Sequence, residues 1–231
     1  MDVRTSANPV VVALRDWLEV GNRRHPWSHN DHFHGWVLRN LPVRRQRALD
    51  VGCGRGALLE RLAPRFARVD GIDVDEAMIA SASARLAGLP NVEVDRRGLD
   101  ELAAEGGGRF DLITMVAVLH HLDLEATLSR VPALLAPGGR LLVVGLARAS
   151  SPSDLLLDCL SAVANPVMGL LKHPRRARED DGGAQSEPAM PAKDPSATWA
   201  EIVAATRTHL PGASARRRLF FRYTLAWEQS R

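Results

Sequence analysis

From residue 47 onward, apolar residues fall in short blocks that alternate between strand-like and helix-like spacing. RALDV (47–51) predicts a short buried strand, and ALLERLAPRF (57–66) has a helical period. RVDGIDV (68–74) predicts a strand, and EAMIASASARLAGL (76–89) a helix with Gly88 near its end. NVEV (91–94) is a third strand. FDLITMVAV (110–118) is apolar on both faces, the pattern of a central parallel strand. EATLSRVPALLA (125–136) predicts a helix, Pro137-Gly138-Gly139 a turn, and RLLVVGLA (140–147) another strand. Strands and helices that alternate with short connections build a parallel sheet covered by helices on both faces.

The flanks have a different rhythm. Asn8 can cap a helix with Pro9 at its first position and Val11, Leu14, Trp17 and Leu18 as its apolar stripe. A second helix starts at Asn30 and stops before Pro42. Residues 151–171 predict one or two helices with a strongly apolar face, and 172–195 a Pro-, Gly- and charge-rich loop. A helix resumes over 198–210, and ASARRRLF and YTLAWEQ predict a final pair of strands. The resulting organisation is an N-terminal helical cap (1–45), a core (46–147), an insertion (148–196), and a closing helix and strands (197–231).

Composition excludes few classes. With 45% hydrophobic and 25% charged residues, the 231-residue chain is neither disordered throughout nor a disulfide scaffold. Its two cysteines, Cys53 and Cys159, predict a reduced, cytoplasmic protein. The N-terminus has one Arg and no long apolar region, so it is not read as a signal peptide. The apolar stretches fall short of a membrane span. The net charge of +3 comes from dispersed arginines and reads as a solvated basic face, with no requirement for a nucleic-acid partner.

ALDVGCGRG (48–56) places Asp50, Gly52, Cys53, Gly54 and Gly56 directly after the first strand. Ligands in open α/β sheets bind at such carboxyl ends. A dinucleotide fingerprint needs G-x-G-x-x-G, whereas this spacing is G-x-G-x-G. Asp50 would repel a pyrophosphate and accept a ligand with a cationic end.

The segment resembles the first motif of class I S-adenosylmethionine-dependent methyltransferases, in particular type 11-like members. GIDVDEAMI (71–79) resembles the second motif, FDLITMVAVLHHL (110–122) the fourth-strand segment, and LLAPGGRLLVVG (134–145) the turn and fifth strand. The resemblance implies a Rossmann-like seven-stranded, mostly parallel α/β sheet of order 3-2-1-4-5-7-6, with strand seven antiparallel. It implies S-adenosylmethionine as cofactor and S-adenosylhomocysteine as product. By the resemblance, Asp50 favours the methionine ammonium directly or through water, Gly52 and Gly54 let the backbone lie against the amino acid part, and Cys53 and Gly56 complete the cofactor-binding loop. Asp73 accepts the ribose hydroxyls. Met78 covers adenine, with core filling as its alternative, and Val74 beside Asp73 is among the cofactor-binding residues. Val116 and Ala117, near the end of strand four, are among the cofactor-binding residues. The family's acid after strand three aligns on Gly98. That leaves either the backbone at Leu99 or a neighbouring acid, Asp95 or Asp100, to read adenine.

Methyl transfer requires an aligned nucleophile and exclusion of water. A hydroxyl nucleophile usually also needs a base. His120 and His121 follow strand four and are candidate bases, with a structural role as the alternative. His32 and His34 belong to an aromatic-rich helix that is either a lid carrying a base or a helix packed on the core. A metal site at His29, His32 and His34 is disfavoured, because helical positions i and i+2 point apart. The expected activity is transfer of a methyl group to O, N or C of a small-molecule acceptor, by a monomer or homodimer. RNA or protein methylation, and cofactor binding without methylation, remain open. A nicotinamide-dependent oxidoreductase is disfavoured by the glycine spacing.

Overall fold

The computed structural model describes residues 29–104, 109–150, 194–219 and 222–230. The helix expected from Asn8, the apolar helices of 151–171 and most of the loop to 195 lie outside the described residues. Apart from His29 and Leu219, the described residues belong to one compact unit.

In chain order its elements are α1 (His29–Arg39), β1 (Arg47–Val51), α2 (Ala57–Leu62), β2 (Arg68–Asp73), α3 (Glu76–Leu86), β3 (Val92–Arg96), α4 (Leu99–Ala104), β4 (Phe110–Val116), α5 (Leu124–Leu134), β5 (Leu135–Gly145), α6 (Trp199–His209), β6 (Ser214–Arg218) and β7 (Arg222–Glu228). The strands form one seven-stranded sheet in the order β3-β2-β1-β4-β5-β7-β6. β1 to β5 pair in parallel, while β7 runs antiparallel to both β5 and β6.

The alternation of side chains along each strand sorts the core into two layers. Leu49, Val51, Ile113, Met115, Leu141 and Val143 pack on one face, where Leu102, Leu128 and Ile202 bring in α4, α5 and α6. Ala48, Leu112, Leu142 and Val144 pack on the other, against Phe33 and Val37 of α1, Leu58 and Leu62 of α2, and Ala82 of α3. Helices on both faces explain why the strands read as continuous apolar runs rather than alternating ones.

Helix starts follow capping chemistry. Asp75 accepts from the Ala77 and Met78 amides at the start of α3, and Asp123 from Ala126 at the start of α5. Thr198 and Glu201 form a reciprocal capping box on α6. At the amino end of the sheet, buried Asp111 accepts from the backbone amides of Gln46 at 2.7 Å and Arg47 at 3.0 Å, which fixes where β1 begins.

Two features differ from expectation. α4 falls in DRRGLDEL, for which no helix is expected, because its six residues present only a brief apolar stripe, Leu99 and Leu102. The expected Pro137-Gly138-Gly139 turn is absorbed into β5. Pairing passes from Phe110↔Leu135 to Leu112↔Arg140, so the extra residues form an irregularity within the strand. The backbone there also pairs with the end of the chain, through Gly138 N to Gln229 O at 3.0 Å and Gln229 N to Gly139 O at 2.9 Å.

Gly139 is closely held: a Cβ would sit 2.8 Å from both the Ala136 and Phe110 carbonyl oxygens. Gly88 has nothing within 4 Å. Gly139→Ala is therefore expected to cost about 1–3 kcal/mol of stability, and Gly88→Ala within about 0.5 kcal/mol of wild type. Urea unfolding of the two variants checks the contrast, and equal midpoints would contradict it.

Candidate functional site

The carboxyl ends of β1, β2 and β4 converge on the loop 52–56. Gly52, Gly54 and Gly56 adopt φ of 67°, 52° and 77°, a region that disfavours side chains. At Gly52 the approach is also tight, since a Cβ would lie 2.4 Å from Val118 Cγ2. That contact ties the first loop to the segment after β4. The Ile72 carbonyl accepts from both Gly52 N at 2.8 Å and Cys53 N at 3.0 Å, which anchors the loop on β2.

Two carboxylates flank this loop. Asp50, the penultimate residue of β1, has 3% exposure. Its Oδ1 accepts a hydrogen bond from Thr114 Oγ1 at 2.6 Å, across the β1–β4 pairing. Asp73 ends β2 and is half-buried. Its Oδ2 accepts from Gly54 N at 2.9 Å, and its Oδ1 from Asp75 N at 3.0 Å. These two bonds fix the carboxylate plane and leave lone pairs for a ligand. Burial pushes the Asp50 carboxyl up to about 7; the Thr114 hydrogen bond opposes the rise and the Asp73 charge adds to it. Two acids that repel each other beside an open backbone loop suit a ligand with a cation at one end and vicinal hydroxyls at the other. They do not suit a pyrophosphate. The donor set thus fits S-adenosylmethionine.

The remaining expected site residues take varied positions. Val74 is 69% exposed beside Asp73, an open apolar surface of the kind an adenine ring covers. Met78 is 2% exposed, so its side chain matches the core-filling alternative and Val74 offers the open surface instead. The backbone of Cys53 follows the loop, while its thiol turns inward, 3.1 Å from where a Cβ on Gly71 would be. Burial, with Asp50 and Asp73 adding, pushes that thiol up and away from nucleophilic use. The Leu99 side chain lies in the core, which leaves its backbone at the start of α4. Of the neighbouring acids, Asp95 pairs with Arg97, and Asp100 with Arg130 at 2.7 Å.

After β4, Val116 is half-buried and Ala117 has φ of 57°, uncommon for a residue with a side chain. Its amide donates to the Val144 carbonyl at 2.7 Å, so the chain turns sharply here while still held to β5. The turn leads into Leu119–His121, where the His120 and His121 rings stand 4.0 Å apart and half-buried. On α1, His34 is buried and His32 is half-buried, its ring edge-on to Phe33 at 5.2 Å. α1 is anchored in the core by Phe33 and Val37, as the packed-helix alternative has it. Among the described residues, no three His, Cys, Asp or Glu side chains are grouped to hold a metal.

Sequence reasoning missed Thr114. A hydroxyl within the apolar run of FDLITMV was its only signal.

Comparison with known proteins agrees with this geometry. A family model described as a methyltransferase domain matches residues 49–141. An uncharacterized methyltransferase of Mycobacterium tuberculosis is 33% identical over 208 residues, covering 87% of this chain and 96% of that protein. The ubiquinone biosynthesis O-methyltransferase of Azotobacter vinelandii is 37% identical over 131 residues, 55% of each chain. The fold matches that of the magnesium protoporphyrin IX methyltransferase of Synechocystis PCC 6803, solved with bound S-adenosylmethionine. That match has a TM-score of 0.51 at 20% identity and covers 97% of this chain and 86% of the other. The chain belongs to the class I S-adenosylmethionine-dependent methyltransferase family.

Asp50 also affects stability. Its folded-state value lies above the ordinary 3.8, so the folded protein keeps a proton that the unfolded chain releases. The stabilising contribution is fully present below 3.8 and is lost as pH rises to about 7. Asp50→Asn, which keeps an acceptor for Thr114, is expected to raise the melting temperature at pH 8 by roughly 5 °C. The gap should narrow as the pH is lowered toward about 5. Scanning calorimetry across pH reads this; a lower melting temperature at pH 8, or a gap that does not change with pH, would contradict it.

Proposed function

We propose that the protein transfers a methyl group from S-adenosylmethionine to an O, N or C nucleophile of a small-molecule acceptor, by in-line displacement. The observation that carries this reading is the pair of acids, Asp50 and Asp73, on either side of a left-handed glycine loop. In this reading Asp50 receives the ammonium of the amino acid part, and Asp73 receives the ribose hydroxyls. Val74 lies against adenine, with the Leu99 backbone beyond it. When bound, the cofactor supplies a sulfonium whose methyl group is already activated. The residues of the chain then orient the acceptor and exclude water.

His120 and His121 are the candidate proton acceptors for a hydroxyl nucleophile, because they sit directly after the sharp turn at Ala117. His32 and His34 are retained as second candidates, acting from α1. The small-molecule assignment draws support from the similarity to the ubiquinone biosynthesis enzyme over about half of each chain and to the magnesium protoporphyrin IX enzyme in fold. Among the described residues no helix is long and apolar enough to cross a membrane.

Mixing the protein with methyl-labelled S-adenosylmethionine and fractions of host extract tests the function directly. Label is expected in the small-molecule fraction. Label in RNA or protein would instead favour a macromolecular acceptor, with the Arg216–Arg218 strand as its contact. Asp73→Ala should weaken S-adenosylhomocysteine binding at least about tenfold, since a hydrogen bond to a charged group contributes about 1.5–3 kcal/mol. Unchanged affinity would contradict the ribose assignment. If one of the paired histidines is the base, its Ala variant should bind the cofactor normally and lose turnover.

A further inference from the structure

Between Leu112 and Val116, β4 carries one polar residue, Thr114, and it is fully buried at 0% exposure. Thr114 and Asp50 are register partners on adjacent parallel strands. Its Oγ1 lies 2.6 Å from Asp50 Oδ1 and 3.3 Å from the Leu49 carbonyl oxygen. A hydroxyl has one proton, and the shorter contact to a carboxylate is the stronger one. Valine would have the same shape and fill the same space. The hydroxyl therefore has a purpose beyond packing.

We propose that Thr114 is a positioning residue that sets the pH range over which the protein binds the ammonium end of its cofactor, by holding the Asp50 carboxylate from the neighbouring strand. The proposal rests on the reading above, in which Asp50 receives that ammonium. A cation binds the ionised form of Asp50. When the acid is protonated, binding must release that proton to solvent, which costs affinity about tenfold per pH unit. Thr114 opposes the protonation that burial favours and so keeps the site open toward lower pH.

Asp73 of β2 and Cys53 of the loop interact electrostatically with Asp50, and Arg55 stands in the same loop. α1, packed on the same sheet face, carries His32 and His34. His120 and His121 follow β4 itself. Any contribution from these histidines is common to wild type and to a Thr114 variant and cancels in the comparison.

The test is the affinity for S-adenosylhomocysteine between about pH 5.5 and 8.5, by calorimetry, in wild type, Thr114→Val and Thr114→Ser. Methylthioadenosine, which lacks the amino acid part, is the control ligand. Thr114→Val is expected to move the midpoint up by about one to two pH units, a loss of roughly tenfold or more at pH 6.5 that narrows to about fourfold or less at pH 8.5. Its affinity for methylthioadenosine should stay at the wild-type level, and Thr114→Ser should restore the wild-type midpoint. Should the valine variant not fold, Thr114→Ala removes the same hydroxyl. Superimposed profiles for wild type and Thr114→Val overturn the proposal while leaving the cofactor reading intact. Equal weakening of both ligands at every pH also overturns it, since only a packing defect acts that way. Wild type that fails to bind S-adenosylhomocysteine would remove the cofactor reading itself, and the proposal with it.

Discussion

Two carboxylates at the ends of neighbouring parallel strands repel each other, and the architecture around the site resolves that repulsion. Asp50 is buried near the end of β1, and that burial pushes its carboxyl up to about 7. Asp73, half-buried at the end of β2, binds two backbone amides. Adjacent parallel strands place both acids at the same edge of the sheet, and the glycine loop between them keeps side chains out of the way. In the proposed reading, a ligand with a cation for one acid and hydroxyls for the other would offset what remains of that repulsion.

The same constraint accounts for features remote from the acids. Asp111 at the opposite end of the sheet fixes the start of β1, and so sets how far the strand runs before Asp50. The contact between Gly52 and Val118 couples the glycine loop to the turn at Ala117 and then to His120 and His121. One end of the sheet thus holds β1 in register, while the other spends that order on a tight, partly charged site. In the proposed reading, stability and binding oppose each other at Asp50, a trade-off common at functional sites.

Much of this was legible in the sequence because the parallel sheet writes itself as apolar blocks between glycine turns. The acid ahead of the loop followed from the spacing of the glycines, and the strand order and the acid ending β2 from the family resemblance. What was not legible depended on direction rather than on periodicity. The helical period places Met78 on α3 without saying that its side chain turns inward, and the loop motif places Cys53 without saying that its thiol does the same. Pro137-Gly138-Gly139 has the chemistry of a turn, yet pairing with the end of the chain draws it into β5. Thr114 stayed hidden because its partner is 64 residues away in sequence. α4 stayed hidden because six residues give too little period to recognise.

The central claim is that the loop between the two acids selects a cationic amino acid nucleoside over a dinucleotide. Calorimetric titration of the wild-type protein with S-adenosylhomocysteine, and separately with NAD, tests this most directly. The account predicts saturable one-to-one binding of S-adenosylhomocysteine and no heat of binding for NAD. Binding of NAD, or of neither ligand, would contradict it.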